Sequence, residues 1–204
     1  MMLSELVPEK RLPMDVEVLG ISDDSRCVGP GDLFCAVSGE NFDGRSFATE
    51  ASCRGAVAIV CDPPALEASV PVVAGEDLRA RIGGLASRVH GNPSHDVELI
   101  AVTGTNGKSS VANFYFQILK NNGIKAATIG TLGIKTNKSN KLTENTTLDP
   151  ITIHKTLSII KNKKINNVIL EASSHGLKQH RLDGLKFDTL IFTNLSRDHL
   201  DYHK

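Results

Sequence analysis

The sequence predicts an α/β protein of two domains, and three observations carry that prediction. Short apolar runs bounded by glycine or proline alternate with helix-length segments. A glycine-rich loop stands between one such run and the helix that follows it. The composition also changes abruptly near the middle. Residues 1–100 hold 8 Lys+Arg against 16 Asp+Glu, whereas residues 101–204 hold 15 against 7. Lys10 is the only lysine of the first hundred residues, and 13 follow. Such a break accompanies two domains, and equally the joining of two differently biased coding sequences. The basic half suits polyanionic ligands such as nucleotides, although charged faces are commonly just solvated; no nucleic-acid partner is expected.

At 204 residues, 40% hydrophobic, 23% charged and 4% aromatic, the chain has the composition of a soluble globular protein, which excludes disorder as its general state. Its apolar runs, such as 55–60, fall far short of the roughly 18 residues a spanning helix needs. The start MMLSELVPEK lacks a basic region followed by an apolar one. The expectation is a cytoplasmic protein without membrane insertion. Cys27, Cys35, Cys53 and Cys61 form no CxxC pair, and no suitable histidine accompanies their spacing, so free thiols are expected over a zinc site.

In chain order, the first domain is expected over residues 1–96. Strands are predicted at 31–39, 55–60 and 70–75, and helices at 47–53 and 77–90, the second capped by Asp77. Gly91-Asn92-Pro93 is a firm stop. The second domain, 97–204, begins with a strand ending at Gly104, the glycine-rich loop, a helix from Ser109 to Asn122, a stop at Gly123 and a strand over 126–133. After a polar loop at 135–148, Asp149-Pro150 supplies an N-cap and a proline at the first helical position, and a helix runs to about Lys163. Strands at 167–173 and 187–195 follow. Val168–Leu170 are apolar on both faces, as in a covered parallel strand. The pattern is a P-loop-type parallel-sheet domain that stops abruptly.

The loop reads Gly104-Thr105-Asn106-Gly107-Lys108-Ser109-Ser110. A strand-to-helix junction of this kind brings backbone N–H groups and the helix dipole onto a bound phosphate. Val102 stands where the common phosphate-loop pattern has its first glycine, so the strict pattern fails. Even so, Gly104 and Gly107 allow the backbone to close, Lys108 can reach phosphate oxygens and Ser109 can offer a hydroxyl to Mg²⁺. Glu171 ends an apolar strand, where a charge needs a crevice, a partner, a metal or simply water. His199 follows the next apolar strand and could share a divalent ion with Glu171, or be an ordinary loop histidine.

TGTNGKSS at 103–110, TENTT at 143–147, EASSHGLKQHR at 171–181 and TNLSRDHLDYH at 193–203 together resemble the Mur ligases, within them most closely the tripeptide-synthetase branch. DSR at 24–26 with GDLF at 31–34 resembles the uridine-nucleotide-binding domain of the same family. The resemblance implies a small N-terminal α/β UDP-binding domain followed by a truncated ATPase domain, with the C-terminal domain absent. It implies that Asp23, Ser25, Glu40, Asn41 and Phe42 contact the uridine end of the substrate. Asp24 and Arg26 either join that contact or form an ion pair that orders the loop. Asn145, Thr146, Thr147, Ser173, Gln179 and Arg181 match positions holding the muramyl-dipeptide and its diphosphate. Gly104 to Ser110 match the ATP site, with Lys108, Glu171 and His199 in catalysis and Ser109, Glu171 and His199 associated with magnesium.

The implied reaction uses ATP and Mg²⁺ to activate the D-glutamate side-chain carboxylate of UDP-N-acetylmuramoyl-L-alanyl-D-glutamate as an acyl phosphate. A diamino acid, meso-diaminopimelate or L-lysine, then attacks to form an amide in peptidoglycan synthesis. No side-chain nucleophile is required, so Ser174 and His175 are expected to shape the loop or touch substrate rather than to hydrolyse. Family members continue beyond the position of Lys204, so the chain is expected to be a fragment without full turnover. The competing readings are a non-catalytic UDP-sugar and ATP-binding module, another Mur ligase, and a folylpolyglutamate synthetase, which would not carry the DSR and GDLF segment.

Overall fold

A computed structural model describes residues 1–10, 12, 14–39, 43–143 and 145–196. The chain divides into two compact units, Met1–Gly91 and Asn92–Lys204. The first unit carries a four-stranded parallel sheet in the order β1 (Gly20–Ser22), β2 (Asp32–Ala36), β3 (Ala58–Cys61), β4 (Val72–Ala74). Both central strands are apolar and buried on both faces. Phe34, Ala36, Ile59 and Cys61 pack with Ala48 and Ala51 of α2 (Ala48–Cys53). The alternate residues Leu33, Cys35, Ala58 and Val60 are equally buried, as period-two strands between two layers require. A short α1 (Leu3–Leu6) and α3 (Leu78–Val89) complete the unit and touch each other. Asp77 caps α3, its Oδ1 accepting from the Ala80 N–H at 3.4 Å. The strand β1 and the helix α1 went unread in the sequence, being too short to show a period.

The second unit is a six-stranded sheet in the order β10 (Thr189–Phe192), β5 (Glu98–Thr103), β9 (Asn167–Glu171), β6 (Ala126–Gly130), β7 (Gly133–Thr136), β8 (Asn140–Lys141). The first four strands run parallel, β7 pairs antiparallel with β6, and β8 pairs antiparallel with β7. Alternate residues of β5 divide between two cores. Leu99 and Ala101 pack with Ile153, Leu157 and Ile160 of α5 (Pro150–Asn162), while Ile100 and Val102 pack with Ala112 and Phe116 of α4 (Lys108–Asn121). Asp149 caps α5 through the Thr152 N–H at 2.8 Å, and Pro150 opens the helix, where its missing donor costs nothing.

Four sequence expectations are corrected. The single strand expected at 126–133 is a hairpin: β6 ends at Gly130, Thr131 and Leu132 turn, and β7 returns with Gly130 opposite Gly133. Gly133, at φ +90°, accommodates the turn where a side chain would collide with the carbonyl of Lys141. The loop expected at 135–148 therefore includes the end of β7 and all of β8. The strand expected at 167–173 stops at Glu171, and Ser174 and His175, expected to shape a loop, belong to α6 (Ser174–Lys178), capped by the Ser173 hydroxyl accepting from the Gly176 N–H at 3.1 Å. The last strand is shorter than the expected 187–195, and its Leu190 and Phe192 are exposed. Among the described residues no helix is long and apolar enough to cross a membrane.

All four cysteines are free thiols, with Cys27 and Cys53 exposed and Cys35 and Cys61 buried. Burial pushes the Cys35 and Cys61 thiols up, away from the reactive thiolate. A thiol-specific reagent at neutral pH should therefore label two cysteines rapidly in the native chain and four in denaturant, with peptide mapping placing the first two at Cys27 and Cys53.

Asp24 caps the 3₁₀ turn Ser25–Cys27, its carboxylate accepting from the Arg26 backbone N–H and gripped by the Arg26 guanidinium at 2.9 and 2.7 Å. Those donors, the Arg26 side chain foremost, lower its pKa from 3.8 to about 2. Asp24→Asn keeps a capping group and removes the charge, so it should cost about 0.5 kcal/mol at neutral pH. A depressed carboxyl stabilises the fold above its unfolded pKa and ceases to do so as pH falls through the folded one. The difference between wild type and variant in urea unfolding should accordingly be full above about pH 4 and vanish towards about pH 2.

Candidate active site

The order of the second sheet sets the geometry of the site. Chain leaving β5 passes through α4 to β6, yet β9 inserts between β5 and β6, so the carboxyl ends of three parallel strands open on one crevice. The register places Glu171 opposite Val102 on one side and, one step past the Ile129–Leu170 pair, beside Gly130 on the other. Val102, which occupies the first-glycine position of the common phosphate loop, is a fully buried ladder residue of β5. The departure from the pattern thus falls inside the sheet and leaves the loop itself intact.

Loop residues 104–107 are held from the far end of β10. The Thr105 N–H donates to the Asn194 carbonyl at 2.9 Å and the Asn106 N–H to Asn194 Oδ1 at 3.1 Å. Thr193 Oγ1 and Asn194 Nδ2 both donate to the Asn106 carbonyl, at 2.7 and 3.0 Å. Gly104 has φ +129°, and a Cβ there would collide with Thr193 Oγ1 and come within 2.8 Å of the Asn194 carbonyl oxygen, so glycine is required. Gly107, at φ +85°, caps α4 and turns the chain into Lys108. Lys108 Nζ folds over the loop, donating to the Gly104 and Thr105 carbonyls at 2.7 and 3.0 Å. The first-turn amides of α4 have no intrahelical acceptor and carry the positive end of the helix dipole.

Glu171 is 4% exposed, which removes the reading of a strand-end carboxylate that simply reaches water. Its Oε2 accepts from Ser109 Oγ at 2.7 Å and from Thr131 Oγ1 at 3.0 Å, and its Oε1 accepts from the Thr131 N–H at 3.2 Å. Gly130 is needed beside it, because a Cβ there would overlap the carboxylate. Ser109 and Glu171 are hard oxygen donors at the mouth of the loop, a set that suits Mg²⁺ completed by water and phosphate oxygens. His199, the third expected ligand, lies outside the described residues, and among those described no group of three His, Cys, Asp or Glu gathers to hold a metal.

The predicted loop and substrate positions of the second unit line one cleft of about 600 Å³, and Glu171 stands behind it, bonded to the lining residues Ser109 and Thr131. Thr105, Asn106, Gly107, Lys108, Ser109 and Ser110 line one end, and Asn145, Thr146, Thr147, Ser173, Gln179 and Arg181 the other, with His175 alongside. Gly104 lies under the loop and does not line the cleft. Arg181 is oriented by two bonds, Nη1 to the Thr147 carbonyl at 2.7 Å and Nε to Gln179 Oε1 at 2.9 Å. Thr147 Oγ1 donates to the Glu171 carbonyl at 3.0 Å and lies 2.9 Å from Ser173 Oγ. Among the described residues the lining contains Lys108, Arg181 and His175 and no carboxylate, a surface suited to phosphate and carboxylate groups. Ser174 and His175 are consecutive on α6, and consecutive helical residues do not face one another, so they form no hydrolytic pair.

In the first unit, Asp23 is exposed and Ser25 buried, the Ser25 hydroxyl donating to Glu50 Oε2 at 2.8 Å. Asp24 and Arg26 form the ion pair that orders their turn. Glu40, Asn41 and Phe42 lie outside the described residues. Sequence reasoning missed Thr131, which lines the cleft, and the Thr193–Asn194 clamp. The second pair stood at the end of an apolar run, which is a readable signal; Thr131 had none, because its segment read as the interior of a strand.

Residues 102–204 match the Mur ligase middle domain, and residues 17–90 match a domain described as the Mur ligase family catalytic domain. The UDP-N-acetylmuramoyl-L-alanyl-D-glutamate–2,6-diaminopimelate ligase of Xanthomonas oryzae pv. oryzae (strain MAFF 311018) is 42% identical over all of this chain and 42% of its own length. The proteins of the same name from Xylella fastidiosa (strain 9a5c), 43% identical over all of this chain, and Coxiella burnetii, 40% identical over 98% of it, are likewise covered over 42% of their length. A solved structure of a ligase with that name superposes at a TM-score of 0.83, with 32% identity, over all of this chain and 42% of that one. The MurF ligase from Thermotoga maritima, solved in complex with ADP, shares the fold at a TM-score of 0.62 and 23% identity, over 90% of this chain and 39% of that one. The chain thus spans about 42% of the length of the curated relatives it matches, and it belongs to the Mur ligase family.

Proposed function

We propose that this chain supplies the uridine-nucleotide-binding and ATP-binding parts of a ligase that adds a diamino acid to UDP-N-acetylmuramoyl-L-alanyl-D-glutamate in peptidoglycan synthesis. The observation that carries this reading is one cleft with a phosphate-type loop at one end and, across buried Glu171, hydroxyl, amide and guanidinium groups at the other. The names of the relatives support 2,6-diaminopimelate as the incoming amine. Use of ATP accords with a cytoplasmic location.

The chemistry asked of these residues is placement and charge stabilisation. Lys108 Nζ would turn from the Gly104 and Thr105 carbonyls to the β/γ oxygens of the nucleotide, and the α4 amides would cradle the same phosphates. Arg181 would hold the acceptor carboxylate in line with the γ-phosphorus, with Ser173 and Thr147 bracing it. Carboxylate attack gives an acyl phosphate and ADP, and amine attack on that carbonyl gives the amide and phosphate. Mg²⁺, when bound by Ser109 and Glu171, supplies neutralisation of the migrating phosphoryl charge. Asp23 and Ser25, with Glu40, Asn41 and Phe42, would take the uridine end.

Titration calorimetry tests the reading on this chain. UDP-N-acetylmuramoyl-L-alanyl-D-glutamate and Mg²⁺-ATP should each give saturable binding, and Lys108→Ala should weaken the nucleotide by about tenfold or more while retaining the circular dichroism of wild type. A folded wild-type chain that bound neither ligand would overturn the reading for this chain and favour a fold that needs further residues to form its sites.

A further inference from the structure

The hydroxyl groups between the two ends of the cleft form a directed chain. Thr131 Oγ1 donates its one proton to Glu171 Oε2 at 3.0 Å, and it also lies 3.0 Å from Thr146 Oγ1. A hydroxyl has a single hydrogen to give. The Thr146 hydroxyl must therefore be the donor of the second bond, and protons run from Thr146 to Thr131 to Glu171. In this arrangement Thr146 shows lone pairs to the cleft. An oxyanion of a substrate approaching Thr146 meets an acceptor where it needs a donor.

Glu171 Oε2 takes two such protons, from Ser109 at 2.7 Å and from Thr131. A cation held at that oxygen would compete with both donors for its lone pairs, the neutral Thr131 hydroxyl included, while the Thr131 backbone N–H keeps Oε1 in place at 3.2 Å. The released Thr131 hydroxyl can then donate to Thr146, and the Thr146 proton turns to the cleft.

We propose that Thr131 is a positioning residue that couples the two ends of the cleft: cation and nucleotide at Ser109 and Glu171 reverse the Thr131–Thr146 hydrogen bond and make Thr146 a donor for an anionic group of the second substrate. The proposal rests on the ligand assignment of the preceding section and goes beyond it in naming a residue and a sign. The coupling is positive, and by linkage it is reciprocal. One hydrogen bond to an anion gained in place of a lone-pair repulsion corresponds to a factor of about ten in affinity.

The experiment is a coupled titration on the 204-residue chain. UDP-N-acetylmuramoyl-L-alanyl-D-glutamate is titrated with and without saturating Mg²⁺ and the non-hydrolysable β,γ-methylene analogue of ATP, and the ratio of the two dissociation constants is read. Wild type should show the UDP ligand tightened about tenfold by the nucleotide. Thr131→Val, which keeps shape and removes the proton, should bring the ratio to about one, and Thr131→Ser should restore it. Thr146→Val should abolish the ratio as well, and the double variant should go no further. Because a ratio is read, a general loss of affinity in a variant cancels, which separates coupling from a merely structural role. A wild-type ratio of about one, with both ligands bound, overturns the relay and leaves the proposed function standing. An undiminished ratio in Thr131→Val does the same. Failure of the wild-type chain to bind one or both ligands overturns the ligand assignment for this chain, and the relay with it.

Discussion

The second unit is organised around the cost of a buried carboxylate. Glu171, 4% exposed at the end of a strand of apolar residues, could not remain there without donors, since an unpaired charge out of water is far more costly than any single contact recovers. Three donors meet it from two structural devices: the Ser109 hydroxyl at the start of α4, and the side chain and backbone N–H of Thr131 in the β6–β7 turn. Satisfying Glu171 thus requires the phosphate-type loop, the hairpin and β9 to be in register together. Gly130, which cannot carry a side chain beside the carboxylate, is part of the same requirement.

The loop is held by a second constraint of the same kind. Residues 105 and 106 lie outside the strand ladders, and the Thr193–Asn194 pair that follows β10 supplies partners for their backbone groups. The consequence for chemistry is that the loop amides not used by this clamp, at the first turn of α4, remain the ones available to an anion. Lys108, satisfied for the present by two loop carbonyls, is a cation stored beside the place where a phosphate would need it.

Much of this was legible in the sequence because it is local. Asp77, Asp149 and Pro150 mark helix starts by chemistry that acts within three residues. The apolar runs of β2, β3, β5 and β9 state that both faces are covered, whichever helices cover them. The Gly104–Ser110 loop announces its phosphate-type pattern by the order of its own residues. Where local signals compete, the reading failed. AATIGTLG carries no charge and no proline and reads as one strand, yet the return at Thr131 comes from pairing with β7, a partner that no pattern within the segment names. The polar run after it conceals an edge strand, β8, whose exposed residues show no alternation.

The sequence by itself determined the α/β class, the helix boundaries set by capping, the phosphate-type loop and the residue types able to meet phosphate, carboxylate and a hard cation. Only the tertiary structure decided which of them meet. Ser109 and Glu171 are 62 positions apart and touch because β9 inserts between β5 and β6, and Thr131 joins them because a hairpin turns at that height. Strand order and register arise from the packing of whole faces against one another, α4 on one side and α5 on the other. Proximity of that kind is a property of the assembled sheet, and a string of side chains read in order carries no record of it.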